Sequence, residues 1–377
     1  MTGNYKKKYR LAAFGLRKFP PSQGAAGADV FAYNLFTRLS NKGFHITVFT
    51  KGDKFCKTEY TKNINVYTFP IVPIKGISTL IHSMMVSIYI IFSRKYDISH
   101  TQNGGNAIFS LILNFFRIPS FCSYDGLDKN RKDWGYVGKS YLSISEYFCS
   151  KLKYKLIIDN IPTKNYFEQK YKNKFTHIPF GSENNESFAE VNPLGKILKD
   201  KDYILFIGRF VKDKGIDYLI KAFQESKISI NYNLVIVGGP SEKDSLYSRK
   251  IKSMDSDNVK IVGYYYGEDV NKIIKDAFYY VQPSYVEGLS PVILQVIGLK
   301  TPIIVSNIPE NTEVVDDKDL TFKVGDVRSL AEKLDYIENN PMEDKQKILQ
   351  ENTTKRYNWN QVMLSHKDLF LGELVEK

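Results

Sequence analysis

Two loops carry the residue types that could do chemistry. The stretch "FIGRFVKDKGIDYLI" sets Arg209 and Lys214 between an apolar run and an amphipathic segment. Two fixed cations beside a helix start suit a diphosphate, because the N–H groups and dipole of the first turn add to them. A merely solvated basic loop would read the same way. The stretch "PSYVEGLSPVILQVIG", Pro283 to Gly298, holds one acid, Glu287, and eight residues later an amide, Gln295. Ser290 is a favourable N-cap and Pro291 a favourable first-turn residue. Gly288 lets a ligand approach the backbone closely. The loop 287–290 would present N–H groups to an anion or a sugar, and Glu287 could accept bonds from sugar hydroxyls. Gln295, a little over one turn into the helix, could face the same ligand. The plainer alternative is that Glu287 caps a turn and Gln295 is the polar edge of a packed helix.

These loops need strands behind them. Short apolar runs alternate with helix-period segments from end to end, the pattern of α/β architecture with parallel sheets. "RLAAFGL", "HITVFT", "YDISH", "IPSFCSYDG" and "YKLIIDN" read as strands or strand edges of the first half. "YILFIGRF", "YNLVIVGGP", "NVKIVGYY", "AFYYVQPS" and "TPIIVSN" do so in the second. Polar Gly181–Asp202 is the clearest boundary, and 377 residues exceed one ordinary core. Two domains are therefore expected, 1–195 and 196–356, with a closing helix at about 357–377 returning to the first. Ligands of open parallel sheets bind outside the carboxyl ends of the strands, and two such sheets imply a cleft.

Composition narrows the partners. Residues 1–180 hold 27 Lys and Arg against 10 Asp and Glu, or +17, and residues 181–377 hold 26 against 31, or −5. The asymmetry suggests an anionic surface or acceptor near the first half, or else a solvated basic face. The basic residues form no element able to read nucleic acid. Three separated cysteines fit neither a disulfide framework nor a zinc site, and the first residues lack a signal-peptide run, so a cytoplasmic location is expected. Gly76–Ser93 has no charged residue over 18 positions. A buried helix is the first reading, an interfacial helix the second and a membrane span the third. Tyr264–Tyr266 and Tyr279–Tyr280 could stack on sugar or base, or simply pack.

Taken together, "GRFVKDKGIDYLIKAF", "LVIVGGP" and "VQPSYVEGLSPVILQVIGLKTPIIVSNIPENTEVV" resemble the donor domain of glycosyltransferase family 4, a retaining family with the GT-B fold. The agreement spans about 150 residues. The first half is similar more loosely, through "FPPSQGAAGADVFAYNLFTRLSNKGFHITVFT", "YDISHTQNG", "YDGLDKNRKDWG" and "IIDNIPTKNYFEQKY". The resemblance implies two Rossmann-like domains facing across a cleft. It implies that Arg209 and Lys214 contact the donor diphosphate and that Glu287 contacts the donor sugar. Gly27 of the Gly24–Gly27 loop, Gly208, Gly238, Gly263, Gly288, Leu289 and Ser290 would line the donor. Asp29, His100, Lys129 and Arg131 would lie on the acceptor side.

Two positions depart from the family pattern. The second acid of its motif, which holds the ribose, falls on Gln295. An amide still accepts one hydrogen bond, but the loss of charge should weaken donor binding by roughly 1–2 kcal/mol. The family's sugar-contacting histidine falls on Asp125, and His100 could partly stand in. No Asp-x-Asp motif at the exit of a strand calls for a divalent cation, so fixed cations would carry the leaving phosphate and no cofactor is expected beyond a UDP- or GDP-sugar donor. The reading is a metal-independent, retaining hexosyltransferase. It would act from a nucleotide sugar onto a glycan or lipid-linked acceptor in surface polysaccharide or glycolipid synthesis, peripheral to an anionic membrane. The alternatives are a binding or scaffold relative impaired at Asp125 and Gln295, and a nucleotide-sugar epimerase of the same fold.

Overall fold

The apolar runs become strands, and the segments of helical period fold back over them. The computed structural model describes residues 8–21, 27–71, 78–126, 136–182, 187–198, 202–240 and 245–375. The chain divides into two units. Unit 1 holds residues up to Phe180, apart from Asn130–Asp133, together with Trp359–Lys377, and unit 2 holds Gly181–Asn358. The boundary inferred from the sequence, 195/196, sat later because the polar stretch after Gly181 carries no strand of its own until Tyr203.

Unit 1 contains β1 (Tyr9–Phe14), β2 (Phe44–Gly52), β3 (Cys56–Thr61), β4 (Ile64–Pro70), β5 (Ile98–Gln102), β6 (Ser120–Tyr124), β7 (Leu156–Ile158) and β8 (Thr176–His177). Their order is β3-β4-β2-β1-β5-β6-β7-β8, parallel except for β3 against β4. The Trp359–Val375 helix packs on the Gly27–Ser40 helix, with Phe31 stacked on Trp359 and close to His366. This is the closing helix expected from "RYNWNQVMLSHKDLFLGEL". The β3–β4 hairpin and the two-residue β8 were not expected: β3 is exposed throughout and has no buried face to leave an alternating pattern.

Unit 2 contains β9 (Tyr203–Arg209), β10 (Asn233–Gly239), β11 (Val259–Val262), β12 (Tyr279–Gln282), β13 (Ile303–Ser306) and β14 (Thr321–Phe322). All are parallel, in the order β11-β10-β9-β12-β13-β14. The sequence direction reverses between β9 and β12, so a crevice opens where their carboxyl ends diverge. Strands β9, β10, β12 and β13 are buried on both faces, as sheets covered by helices on each side require. Tyr279 and Tyr280 are fully buried within this core. They pack rather than stack on a ligand, because both belong to a central strand.

No described helix is long and apolar enough to cross a membrane. The Gly76–Ser93 stretch forms the Ser78–Ser93 helix, with His82, Ser83, Val86, Ser87 and Ile90 buried and Met84, Ile88 and Phe92 exposed. It is half-buried, not the wholly buried helix that its lack of charge suggested.

Candidate active site

The loops after β9 and β12 meet at the switch point of unit 2. After β9 the chain turns through Val211 and Lys212–Lys214 to Gly215, which sits at φ 66°. That left-handed conformation suits glycine, and a Cβ there would overlap the Pro283 carbonyl oxygen. Tyr285 N–H donates to the Asp213 carbonyl at 2.7 Å, and the Tyr218 hydroxyl donates to the Pro283 carbonyl. The two loops are thus tied by one backbone–backbone bond and by the Tyr218 hydroxyl.

On this frame Lys214 Nζ lies 2.5 Å from Glu287 Oε1. Their side chains are 18% and 8% exposed. Gln282 Nε2 donates to the same carboxylate oxygen at 2.6 Å and Ser284 Oγ at 2.5 Å. Gln282 is held in turn by the Tyr280 hydroxyl, which donates to its Oε1. Ser284 is fixed through its carbonyl, which accepts from Ser306 Oγ at 2.7 Å. Glu287 therefore does more than cap a turn: three donors from three different positions orient one of its oxygens. Arg209 ends β9, half-buried. Glu310, at the start of a short helix after β13, has its carboxyl pushed up from the usual range by burial and by the Glu287 charge.

Ser290 caps the Pro291–Gly298 helix, its Oγ accepting from Ile293 N–H at 3.5 Å. Leu289 is 2% exposed, so only its backbone can serve a ligand there. Gly288 is half-buried beside it. Gln295 lies on the same helix, where its Nε2 donates to Asn271 Oδ1 at 2.8 Å. Asn271 Nδ2 donates to the Ser187 carbonyl at 3.0 Å. This relay sets the amide orientations, because Asn271 must turn its oxygen toward Gln295. Gln295 is left with its Oε1 as the acceptor.

The glycines behave differently from one another. Gly238 pairs with Gly208 across β10 and β9 and sits at φ 140°, where a Cβ would overlap the Gly208 carbonyl. Gly263 is exposed, with open space around its Cα, and its carbonyl accepts from Gly238 N–H at 3.2 Å. Tyr264 is bound to the Gly239 and Pro240 carbonyls at 2.8 and 2.9 Å, which commits its hydroxyl to the β10 loop.

In unit 1, Gly27 opens the Gly27–Ser40 helix. Asp29 is 1% exposed and its Oδ1 accepts from the Arg17 and Lys18 N–H groups at 2.8 and 3.3 Å. It braces the loop after β1 from inside, which removes it from the acceptor side. His100 is likewise corrected. Strand β5 continues to Gln102, so His100 is interior and fully buried, with Nε2 2.8 Å from Ser123 Oγ and its ring against Phe36, His366 and Phe370. Burial holds its pKa well below the usual value. It can neither contact an acceptor nor stand in at a donor sugar. Asp125 follows β6, half-buried, with Gly126 next to it at φ 122°. Lys129 and Arg131 lie outside the described residues.

The sequence reading missed Gln282, Ser284, Glu310 and Asn271. Gln282 and Ser284 alternate with Tyr280 along one strand and its exit, a period of two that could have marked them as sharing a face. Nothing local links Asn271 to Gln295.

Lys214 and Glu287 thus meet in the crevice at the switch point of unit 2. Residues 191–356 match the family described as Glycosyl transferases group 1. An uncharacterized glycosyltransferase of Methanocaldococcus jannaschii is 24% identical over 356 residues, covering 91% of this chain and 94% of that protein. The capsular polysaccharide biosynthesis glycosyltransferase CapM of Staphylococcus aureus is 29% identical over 210 residues, about half of each chain at 52%. Among solved structures, sucrose-phosphate synthase from Thermosynechococcus elongatus superposes with a TM-score of 0.83 at 19% identity, covering 98% of this chain and 100% of that one. Anabaena HepE in complex with UDP and glucose gives 0.77 at 13% identity, covering 97% and 100%. The fold is GT-B, with two Rossmann-like parallel-sheet units.

Proposed function

We propose that this protein is a glycosyltransferase that moves a sugar from a nucleotide-diphosphate donor to a glycan or lipid-linked acceptor in surface polysaccharide synthesis. The observation that carries the reading is Glu287, oriented by Lys214, Gln282 and Ser284 at the switch point of unit 2. The capsular and O-antigen enzymes among its relatives support the polysaccharide setting.

In this reading the diphosphate lies against the β9 loop. Arg209 and Lys214 stabilise the negative charge that develops on the departing phosphate, and the helix start at Ser290–Pro291 adds its N–H groups. Glu287 accepts from donor sugar hydroxyls with its remaining lone pairs. Gln295 offers its Oε1 to a ribose hydroxyl, and Asn271 holds it there. The acceptor hydroxyl attacks on the face from which the phosphate departs, and that phosphate takes the proton, so configuration is retained. Neither Arg209 nor Lys214 needs a metal ion to do its part. A UDP- or GDP-hexose is the donor class proposed.

The test is nucleotide release from a panel of UDP-, GDP-, ADP- and dTDP-sugars, with and without a lipid extract. Release from one donor, raised by the extract, is the expected result. No release and no donor-induced rise in Tm would overturn the reading. A rise in Tm without release under all acceptors would favour the binding relative, whose sequence marks are Asp125 and Gln295.

A further inference from the structure

Three helices lie side by side along unit 1: Ser78–Ser93, Ala107–Phe115 and Tyr136–Lys151, the second packed against both others. The first two contain no Asp, Glu, Lys or Arg, and the third contains only Lys139, Glu146 and Lys151. Glu146 contributes little to the surface. It is 2% exposed and accepts from Lys170, Tyr166 and Tyr171 at 2.7, 2.8 and 2.8 Å.

The outward stripes of the first two helices are mainly apolar. Met84, Ile88 and Phe92 recur every fourth residue on the first, and Ile112 and Phe115 follow on the second, with Phe116 just past its end. The third adds Ile144 and Tyr147 beside exposed Ser140 and Ser143. Phe92 is 80% exposed and Phe115 83%, which is far beyond what a large apolar side chain usually shows water. Between the helices runs a groove of about 450 Å³ lined by Leu80, Ile81, Met84, Ile108, Phe109 and Ile144. Its two hydroxyl neighbours are turned into the backbone: Tyr141 donates to the Gly105 carbonyl at 2.8 Å and Ser145 to the Gly104 carbonyl at 2.6 Å.

The helices run opposite to the parallel strands, so their C-termini share one edge. Exposed Arg94, Lys95, Arg117, Lys151 and Lys153 cluster there in the chain, just beyond the exposed phenylalanines. Arg94, Arg117 and Lys153 take positive φ values of 49°, 61° and 51° as they end the helices. The acid nearest in sequence to this edge, Asp97, is paired with Arg10 at 3.2 Å. An apolar, aromatic face with a cationic fringe is complementary to a lipid surface carrying negative headgroups.

We propose that this face docks on an anionic lipid bilayer. Phe92, Phe115 and Phe116 insert at the boundary of headgroups and acyl chains. Arg94, Lys95, Arg117 and Lys151 lie over the phosphates, and the groove covers apolar lipid surface. The inference is independent of the transfer reaction, since binding can be read without turnover.

The experiment is flotation of the full chain with vesicles of phosphatidylcholine alone or mixed with phosphatidylglycerol, at low and at raised salt. Binding to the mixed vesicles, weakened by salt, is the expected result. Phe92→Ser/Phe115→Ser/Phe116→Ser should weaken it by at least about tenfold without lowering Tm, since these side chains already face water. Arg94→Glu/Lys95→Glu/Arg117→Glu should remove the preference for phosphatidylglycerol. Equal binding to both vesicle types, or full binding by the serine variant, would overturn the proposal. So would a wild-type dimer that the serine variant converts to a monomer while vesicles bind neither, because a second copy would then own the face.

Discussion

Lys214 and Glu287, 73 residues apart in sequence, meet at 2.5 Å across the switch point of unit 2. Each was read from the sequence as a separate ligand contact, the cation for phosphate and the acid for sugar. Their pairing means that the cation also aims the acid. Lys214→Ala should therefore damage both functions, lowering kcat for nucleotide release by roughly 10²–10³. Lys214→Ala/Glu287→Ala should lose little more than the worse single variant, because residues acting as a unit are not additive. Full additivity in steady-state kinetics would show that the pair is not used as a unit.

Gly215 makes that pairing sterically feasible. Its φ of 66° and the Pro283 carbonyl above it leave no room for a Cβ. Gly215→Ala should cost about 2–4 kcal/mol in denaturant unfolding, from αL strain together with the displaced β12 loop. Activity should fall at temperatures where the variant is still folded, since Lys214 directly precedes Gly215. An unchanged midpoint would contradict the geometry.

Asn271 positions Gln295. With Asn271→Ala, Gln295 loses the partner that fixes its amide and can turn either end toward the donor. KM for the nucleotide sugar should rise by about tenfold with kcat nearly unchanged, a cost of about one hydrogen bond. Gln295→Glu in the native background should not restore tighter binding. The new carboxylate would face Asn271 Oδ1 unless Asn271 rotated and gave up the Ser187 carbonyl. Paired KM measurements on the two variants check both statements.

Acid should weaken unit 1 through its buried histidines. Burial pushes His82 and His366 down to about 4, against the ordinary 6.5. Both stay neutral in the folded state while the unfolded chain takes up protons. Their contribution is intact above 6.5 and is lost as pH falls from there through about 4. His366 is fully buried, and its shift corresponds to about 3 kcal/mol across that range. His366→Leu should flatten the fall of Tm between those pH values. An equally steep fall in the variant would place the proton uptake elsewhere.

Much of the fold was legible because it is written in local patterns. Apolar runs such as "YILFIGRF" and "NLVIVGG" are central strands buried on both faces, and such strands need no partner to be recognised. The hairpin strand Cys56–Thr61 was not legible, since an exposed edge strand imposes no periodicity. His100 was misread for a related reason. Sequence locates a strand to within a few residues, and two further residues of β5 separate an edge position from a fully buried one.

What the sequence determined by itself was the chemistry available: two cations after one strand, a glutamate and a capped helix after another, and an amide where an acid would be the simpler choice. Those identities depend on spacing of a few residues, which the chain carries locally. Only the tertiary structure decided how they act together. Parallel sheet order placed β9 beside β12 rather than beside its sequence neighbours alone, and this brought Lys214 onto Glu287. The same long-range packing set Asn271 against Gln295, buried Asp29 and His100, and left Phe92 and Phe115 in the open. Contacts between distant segments follow from how elements stack, and no window of sequence contains them.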